Sequence, residues 1–192
     1  MPPKPAYDRD SLIDRARDLF WSKGWSGTSM KDLERALNLR PGSFYAAFGS
    51  KARLYALALD RYAAEGAEAL DTLERSRGPL DALKAHLLSF AAPGAGAARG
   101  CFLVRSVSEL EGADSPLGAQ AGTLLDAAEA RFAALFERAQ QAGQVAPQHD
   151  PKRLAQRYQA QLTGLRAATH RAHVDVRALA QDFATDLDRL AP

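Results

Sequence analysis

The chain is poor in the residues that build sheets. Its 192 residues include 5 Val, 1 Ile and 6 Thr, against 39 Ala and 26 Leu, and that shortage of β-branched side chains rules out a large β-sheet. A single cysteine, Cys101, excludes the intramolecular disulfide framework on which small secreted domains rely. The longest stretch without Asp, Glu, Lys or Arg runs from Ala85 to Ala98 and contains Gly and Pro. It is too short to span a bilayer, so no membrane association is expected. The first ten residues, MPPKPAYDRD, lack the apolar core of a secretory signal, and the expected location is the cytoplasm. No Ser-His-Asp or paired-carboxylate arrangement stands out, which leaves an enzyme little to rest on. Of the four histidines only His170 and His173 share a helical spacing, with Asp175 alone nearby. One pair is not a metal site, and no metal or other cofactor is expected.

What is present points to an all-α protein. A hydrophobic content of 46% is enough for the core of one or two small domains. The net charge of +2 hides an asymmetry: residues 1–56 carry 10 Lys and Arg against 6 Asp and Glu, residues 57–192 carry 15 against 17. Residues 1–10, with Pro2, Pro3 and Pro5 among charges, read as a flexible arm. Leu12, Ile13, Ala16, Leu19 and Phe20 then recur at helical spacing up to Gly24. Ser29, with Asp32 three positions on, approximates a capping box for a short helix through Met30, Leu33, Ala36 and Leu37. Asn38 can take the left-handed conformation that ends it. Pro41 opens a third short helix with Phe44 and Phe48 on its inner face. Further helices are expected from Ser50 to about Leu73, Pro79 to about Phe90, Phe102 to about Leu110, Leu124 to near Gly143, Pro151 to Leu165, and Val176 to Leu190. About nine helices result.

A scaffold helix, a tight turn and a second short helix with a free outer face make up a helix-turn-helix. With Phe44 and Phe48 turned inward, Arg40, Ser43 and Ala46 face outward, and Tyr45 and Lys51 flank them with groups suited to phosphate. Tyr45 can equally be a half-buried core residue, and Lys51 or Arg40 a plain solvated charge. Gly42 permits close approach of the backbone, and the helix N-termini near Thr28, Ser29 and Lys31 and at Arg40-Pro41 offer N–H groups to phosphate oxygens.

The stretch from Ala16 to Tyr62, ARDLFWSKGWSGTSMKDLERALNLRPGSFYAAFGSKARLYALALDRY, closely resembles the TetR family of bacterial transcriptional repressors. The resemblance rests on Leu19 to Trp25, the Thr28-Ser29 start, Leu33 and Ala36, and Gly42-Ser43-Phe44-Tyr45 with Phe48, Ser50 and Lys51. It implies a DNA-binding domain over residues 11–56 and a ligand-binding and dimerisation domain over residues 57–192. A homodimer would then grip a two-fold-related DNA operator and be released by a small-molecule or electrophilic inducer. Two positions depart from the family pattern. Asn38 stands where the turn normally has Gly, and Arg40-Pro41 where the recognition helix normally has a capping Ser or Thr. Losing that cap costs about 0.5–2 kcal/mol, but Arg40 gains a fork able to pair with guanine O6 and N7. An activator or an architectural DNA-binding protein would carry the same motif.

The second half gives weaker signals. The loop APGAGAARG misses the spacing of phosphate-binding glycine loops and reads as a connector. Cys101 follows it at a helix start, with Arg99 and Arg105 nearby in sequence, and the Gly100-Cys101 pair resembles thiol-responsive members of the family. Cys101 is therefore either a sensor of electrophiles or a structural core thiol. Phe90, Phe102, Phe132, Phe136 and Tyr158 occupy inner helix faces, and an inducer cavity among them would take polar contacts from His86, Arg105 or Glu109. The stripes Leu154, Tyr158, Leu162, Leu165 and Leu179, Phe183, Leu187 suit either a dimer interface or the chain's own core.

Overall fold

The computed structural model describes residues 8–91, 100–110 and 115–192. The proline-bearing start of the arm and nearly all of the glycine-containing connector lie outside them. Nine helices run through the described residues: α1 (Arg9–Lys23), α2 (Met30–Leu37), α3 (Pro41–Phe48), α4 (Lys51–Arg77), α5 (Pro79–Ser89), α6 (Phe102–Leu110), α7 (Pro116–Gln141), α8 (Pro151–Ala168) and α9 (Val176–Asp188). The all-α class is the one expected from the sequence.

Local chemistry sets most of the boundaries. The Asp8 carboxylate caps α1, and Gly24 ends it at φ 79°. Ser29 and Asp32 form a complete capping box on α2, and Asn38 closes it at φ 54°, the left-handed region that asparagine tolerates. Arg40 gives α3 no side-chain cap. Two helices are longer than their apolar spacing suggests. α4 continues past Leu73 until Gly78 turns to φ 81°, and ion pairs from α7, Arg131 to Asp71 at 2.9 Å and Arg138 to Glu74 at 2.5 Å, hold its polar last turns. α7 begins at Pro116 rather than near Leu124, because Ser115 caps it and Ala121 is buried despite the two glycines of that stretch.

The chain divides into two compact units that do not follow chain order: residues 1–64 with 102–124, and residues 65–101 with 125–192. α6 therefore packs with the amino-terminal helices, whereas sequence reasoning sets a boundary near residue 56.

In the first unit Leu12, Ile13, Ala16 and Phe20 of α1 are buried together with Leu33 and Leu37 of α2 and Phe44 and Phe48 of α3. Tyr55 of α4 is the hub. Its ring meets Phe20 at 4.7 Å, Trp25 at 5.2 Å and Phe102 at 5.3 Å, all edge-on, and its hydroxyl lies 2.7 Å from the Ser106 hydroxyl. Ser106 in turn donates to Phe102 O. A ring with that many edge-to-face partners fixes angles as well as burying area.

The second unit packs α5, the carboxyl-terminal part of α7, α8 and α9 around Leu83, Leu87, Phe136, Tyr158 and Leu162. Lys84 on α5 is ion-paired to Asp188 at the end of α9, and Ala146 donates its N–H to Leu190 O at 2.7 Å, which closes the last helix onto the turn after α7.

Tyr55→Phe should cost about 0.5–1.5 kcal/mol through the lost buried hydrogen bond, and Tyr55→Ala about 3–5 kcal/mol through the lost ring. Urea unfolding of both variants measures the split, and equal losses would mean that the hydroxyl rather than the ring carries the hub.

Candidate functional site

α3 is held by its two phenylalanines. Phe44 and Phe48 are fully buried, and the opposite side of the helix is open: Arg40, Pro41, Gly42, Ser43, Tyr45 and Ala46 are all exposed. Tyr45, at 53% exposure, is not a core residue. A Cβ built on Gly42 would meet nothing within 4 Å, so the fold does not require glycine there. Because Arg40 supplies no cap, the first N–H groups of α3 have no side-chain acceptor. The helix start presents an arginine fork, a hydroxyl and unpaired N–H donors on one surface.

The flanking residues are less uniform. Ser29 and Lys31 are exposed, with the Ser29 hydroxyl engaged by Asp32 at 2.7 Å. The Asp32 carboxyl is held far below its usual range by Lys23 and by two hydrogen bonds from Ser29. Thr28 departs from the expected role of a DNA contact: it is buried and its hydroxyl donates to Gly24 O at 2.7 Å. Lys51 departs as well. Its ammonium donates to Trp25 O at 2.6 Å and sits 4.0 Å from the Trp25 ring centroid. Burial lowers its pKa, against the pull of the Glu109 charge. A cation placed so closely over an indole is held there by the ring as well as by the carbonyl.

Arg105 and Glu109 of α6, expected as contacts in an inducer cavity, instead clamp the turn after α1. Arg105 donates to Trp21 O at 2.9 Å and Ser22 O at 3.1 Å, the carbonyls that the helix end leaves unpaired. Glu109 accepts from Trp25 N at 3.0 Å and Ser26 N at 2.8 Å. Burial alone would raise the Glu109 pKa, but the Ser26 and Trp25 hydrogen bonds and the Arg105 charge outweigh it, and the pKa falls. No local sequence signal marks the clamp; only the i, i+4 spacing of the two side chains hints that they act together.

Of the other residues expected around an inducer, Phe102 is buried against Tyr55 and Tyr62 in the first unit. His86, Phe90, Phe132, Phe136 and Tyr158 do assemble, all in the second unit. His86 lies 4.9 Å from Phe90 and 5.7 Å from Phe132, and Tyr158 lies 4.7 Å from Phe132 and 6.1 Å from Phe136. Cys101 is buried directly before α6. Leu154, Leu162, Leu165 and Leu187 are buried within the one chain, and Leu154, Leu162 and Leu187 belong to its core cluster. Leu179 and Phe183 keep partial exposure, Phe183 while packing on that core. Among the described residues no group of three or more metal-ligating side chains is present, and no helix is long and apolar enough to cross a membrane.

Comparison with known proteins agrees with this layout. Residues 12–58 match the model described as bacterial regulatory proteins, tetR family, and residues 77–185 match the tetracyclin repressor-like C-terminal domain. The HTH-type transcriptional repressor ComR of Escherichia coli is 41% identical over 56 residues, 29% of this chain and 27% of its own length. The chain thus spans little more than a quarter of that relative. The transcriptional regulator AcuR of Cereibacter sphaeroides is 27% identical over 179 residues, 91% of this chain and 80% of AcuR. A cysteine mutant of the TetR family regulator CifR, solved with a 26bp double-strand operator DNA, is 29% identical with a TM-score of 0.74, covering 99% of this chain and 100% of that one.

Glu109 makes stability pH-dependent. Its folded pKa lies below its unfolded one, so its contribution is present above the ordinary glutamate value of 4.5 and is lost as pH falls through the depressed value. Glu109→Gln should reduce the fall in the urea midpoint between neutral and acid pH; a parallel curve would show that the carboxylate charge is not what holds the turn.

Proposed function

Because the chain belongs to the tetR family of bacterial regulatory proteins, we propose that it is a transcriptional repressor acting as a homodimer on a two-fold-related operator and released by a small-molecule inducer. The observation that carries the reading is the exposed side of α3, where Arg40 to Ser43, Tyr45 and Ala46 are solvent-facing on a helix anchored by two fully buried phenylalanines. Arg40 reads a guanine through O6 and N7, Ser43 and Tyr45 contact base edges or phosphate, and the free N–H groups of the helix start bind a phosphate oxygen. Gly42 supports this assignment, since an unconstrained glycine in an exposed first turn lowers helix stability and gains nothing from the fold. Close approach of the DNA backbone explains it.

Lys51 acts mainly as a positioning residue, steadying the turn through Trp25. Lys31, exposed on α2, is the better phosphate contact. The two copies meet through the outward sides of α8 and α9, where Ala160, Gly164 and Ala167 and then Ala178, Gln181 and Thr185 are exposed. That side takes over the role that the sequence pattern suggested for the buried leucines. CifR with its operator DNA is the structural precedent for the DNA-bound state. An activator would use the same surface and differ only in where its half-sites lie relative to the promoter.

Gel shifts on the DNA upstream of the coding region test the assignment. Affinity should fall about 10³–10⁵ between roughly 50 and 200 mM salt if six to ten phosphates are contacted. Arg40→Ala should lose about 1–3 kcal/mol and relax discrimination at one base pair. Gly42→Ala should weaken DNA binding while raising helix stability by about 0.5–1 kcal/mol. If both variants bind like the parent, this side of α3 is not the reading surface.

A further inference from the structure

Reading the chain as a ligand-responsive regulator leaves the chemistry of the ligand open, and the second unit contains a cation without an ion-pair partner among the described residues. Arg166 of α8 holds its guanidinium carbon 4.0 Å from the Phe90 ring centroid. Among the described residues no carboxylate pairs with it. Arg131 and Arg138 of the same unit are both ion-paired, and Arg153, Arg157, Arg171 and Arg177, which are not, are exposed to water. Arg166 is partly buried against an aromatic ring. A guanidinium so placed is only partly hydrated and keeps its planar fork oriented, which suits it to a bidentate anion.

His86 adjoins it across the same Phe90 ring. Tyr158 donates its single hydroxyl hydrogen to Leu83 O at 2.9 Å, so in the 2.8 Å contact with His86 the tyrosine oxygen must accept and Nδ1 must carry the proton. That fixes the tautomer and leaves Nε2 a bare acceptor with no partner among the described residues. Burial, assisted by the Arg166 charge, pushes the His86 pKa down to about 3, so the ring is neutral at physiological pH. Burial likewise drives the Tyr158 pKa well above its ordinary value, so its hydroxyl remains protonated. The cluster therefore presents one fixed positive charge and one neutral acceptor beside the partly exposed Phe90 ring, with Phe132 buried behind His86. His86, Phe90 and Arg166 each keep partial exposure, so the polar ends can be reached from outside.

We propose that Arg166, His86, Phe90 and Phe132 form the effector site, and that the effector is a small apolar carboxylate carrying a hydroxyl group. The carboxylate lies on the Arg166 fork, the apolar body against Phe90, and the hydroxyl donates to His86 Nε2. The assignment rests on the ligand-responsive reading above but concerns only the chemistry of the site.

The test uses the full chain with 3-hydroxybenzoate, benzoate and 3-hydroxybenzamide as probes, followed by titration calorimetry and gel shift. First, the parent and Arg166→Gln are compared for binding to the upstream DNA without probe, and both should bind alike. Failure of the parent to bind any fragment of that DNA would overturn the regulator reading itself. With DNA binding established, 3-hydroxybenzoate should bind more tightly than benzoate and about tenfold or more tightly than the amide. It should also weaken the DNA complex. Arg166→Gln should erase the acid-over-amide preference, and His86→Phe the preference for the hydroxyl. Equal affinity of acid and amide, an Arg166→Gln affinity equal to the parent's, or no binding of either acid up to about 10 mM would overturn the effector class and leave the DNA-binding reading standing. Loss of the acid preference in Arg166→Gln with unchanged hydroxyl preference in His86→Phe would retain the cation site and overturn the role of Nε2.

Discussion

The grip of α6 on the turn after α1 is the constraint on which the amino-terminal unit depends. Glu109 receives two consecutive backbone N–H groups and Arg105 covers two helix-terminal carbonyls. Between them sits Gly24, at φ 79°, where a Cβ would come within 2.5 Å of a Glu109 oxygen and 2.9 Å of an Arg105 nitrogen. The glycine is required twice, once by its backbone angle and once by the space the clamp occupies. With the turn fixed, Trp25 can receive Lys51 and meet Tyr55, and Thr28 can tie back to Gly24 O. The start of α2 then follows from its own capping box. Each contact is modest alone; sharing the same six residues of backbone makes them cooperative.

The surface of α3 is what remains after the inward residues have been used. On its outer side Tyr45 meets the buried Phe44 ring edge-on at 5.5 Å, while Arg40, Ser43 and Ala46 stay exposed. The charge asymmetry of the sequence also changes meaning. Several basic residues of the amino-terminal unit are committed internally: Lys51 to Trp25, Arg61 to Asp14 at 2.8 Å, Lys23 to Asp32 at 2.8 Å, and Arg15 to Ala36 O. Arg40 and Lys31 are among the cations that stay exposed. The local excess of positive charge is thus a poorer guide than its placement.

In the carboxyl-terminal unit the polar interior is arranged as a chain. Leu83 O orients Tyr158, Tyr158 orients His86, and His86 and Arg166 share the Phe90 ring. Every hydrogen in that chain has one possible direction, so the acceptor left at its end is a fixed feature rather than one tautomer among two. Arranging it there costs burial of a neutral imidazole, far less than burial of an imidazolium.

Much of the architecture was legible in the sequence because it is written locally. Helix spacing, the Ser29-Asp32 box, the left-handed Asn38 and the inward pair Phe44 and Phe48 each depend on neighbours within a few residues, and a strong motif joined them. The sequence could not place Arg105 and Glu109, whose partners lie more than eighty positions away, or separate Lys51 the phosphate contact from Lys51 the brace. Nor could it decide whether the leucine stripes of α8 and α9 met a second copy or their own core. Periodicity reports that a helix side is apolar, not what covers it. Sequence alone determined the order of the helices and the open side of α3; tertiary structure decided which polar side chains were already spent on the backbone, because that depends on distances no local pattern encodes.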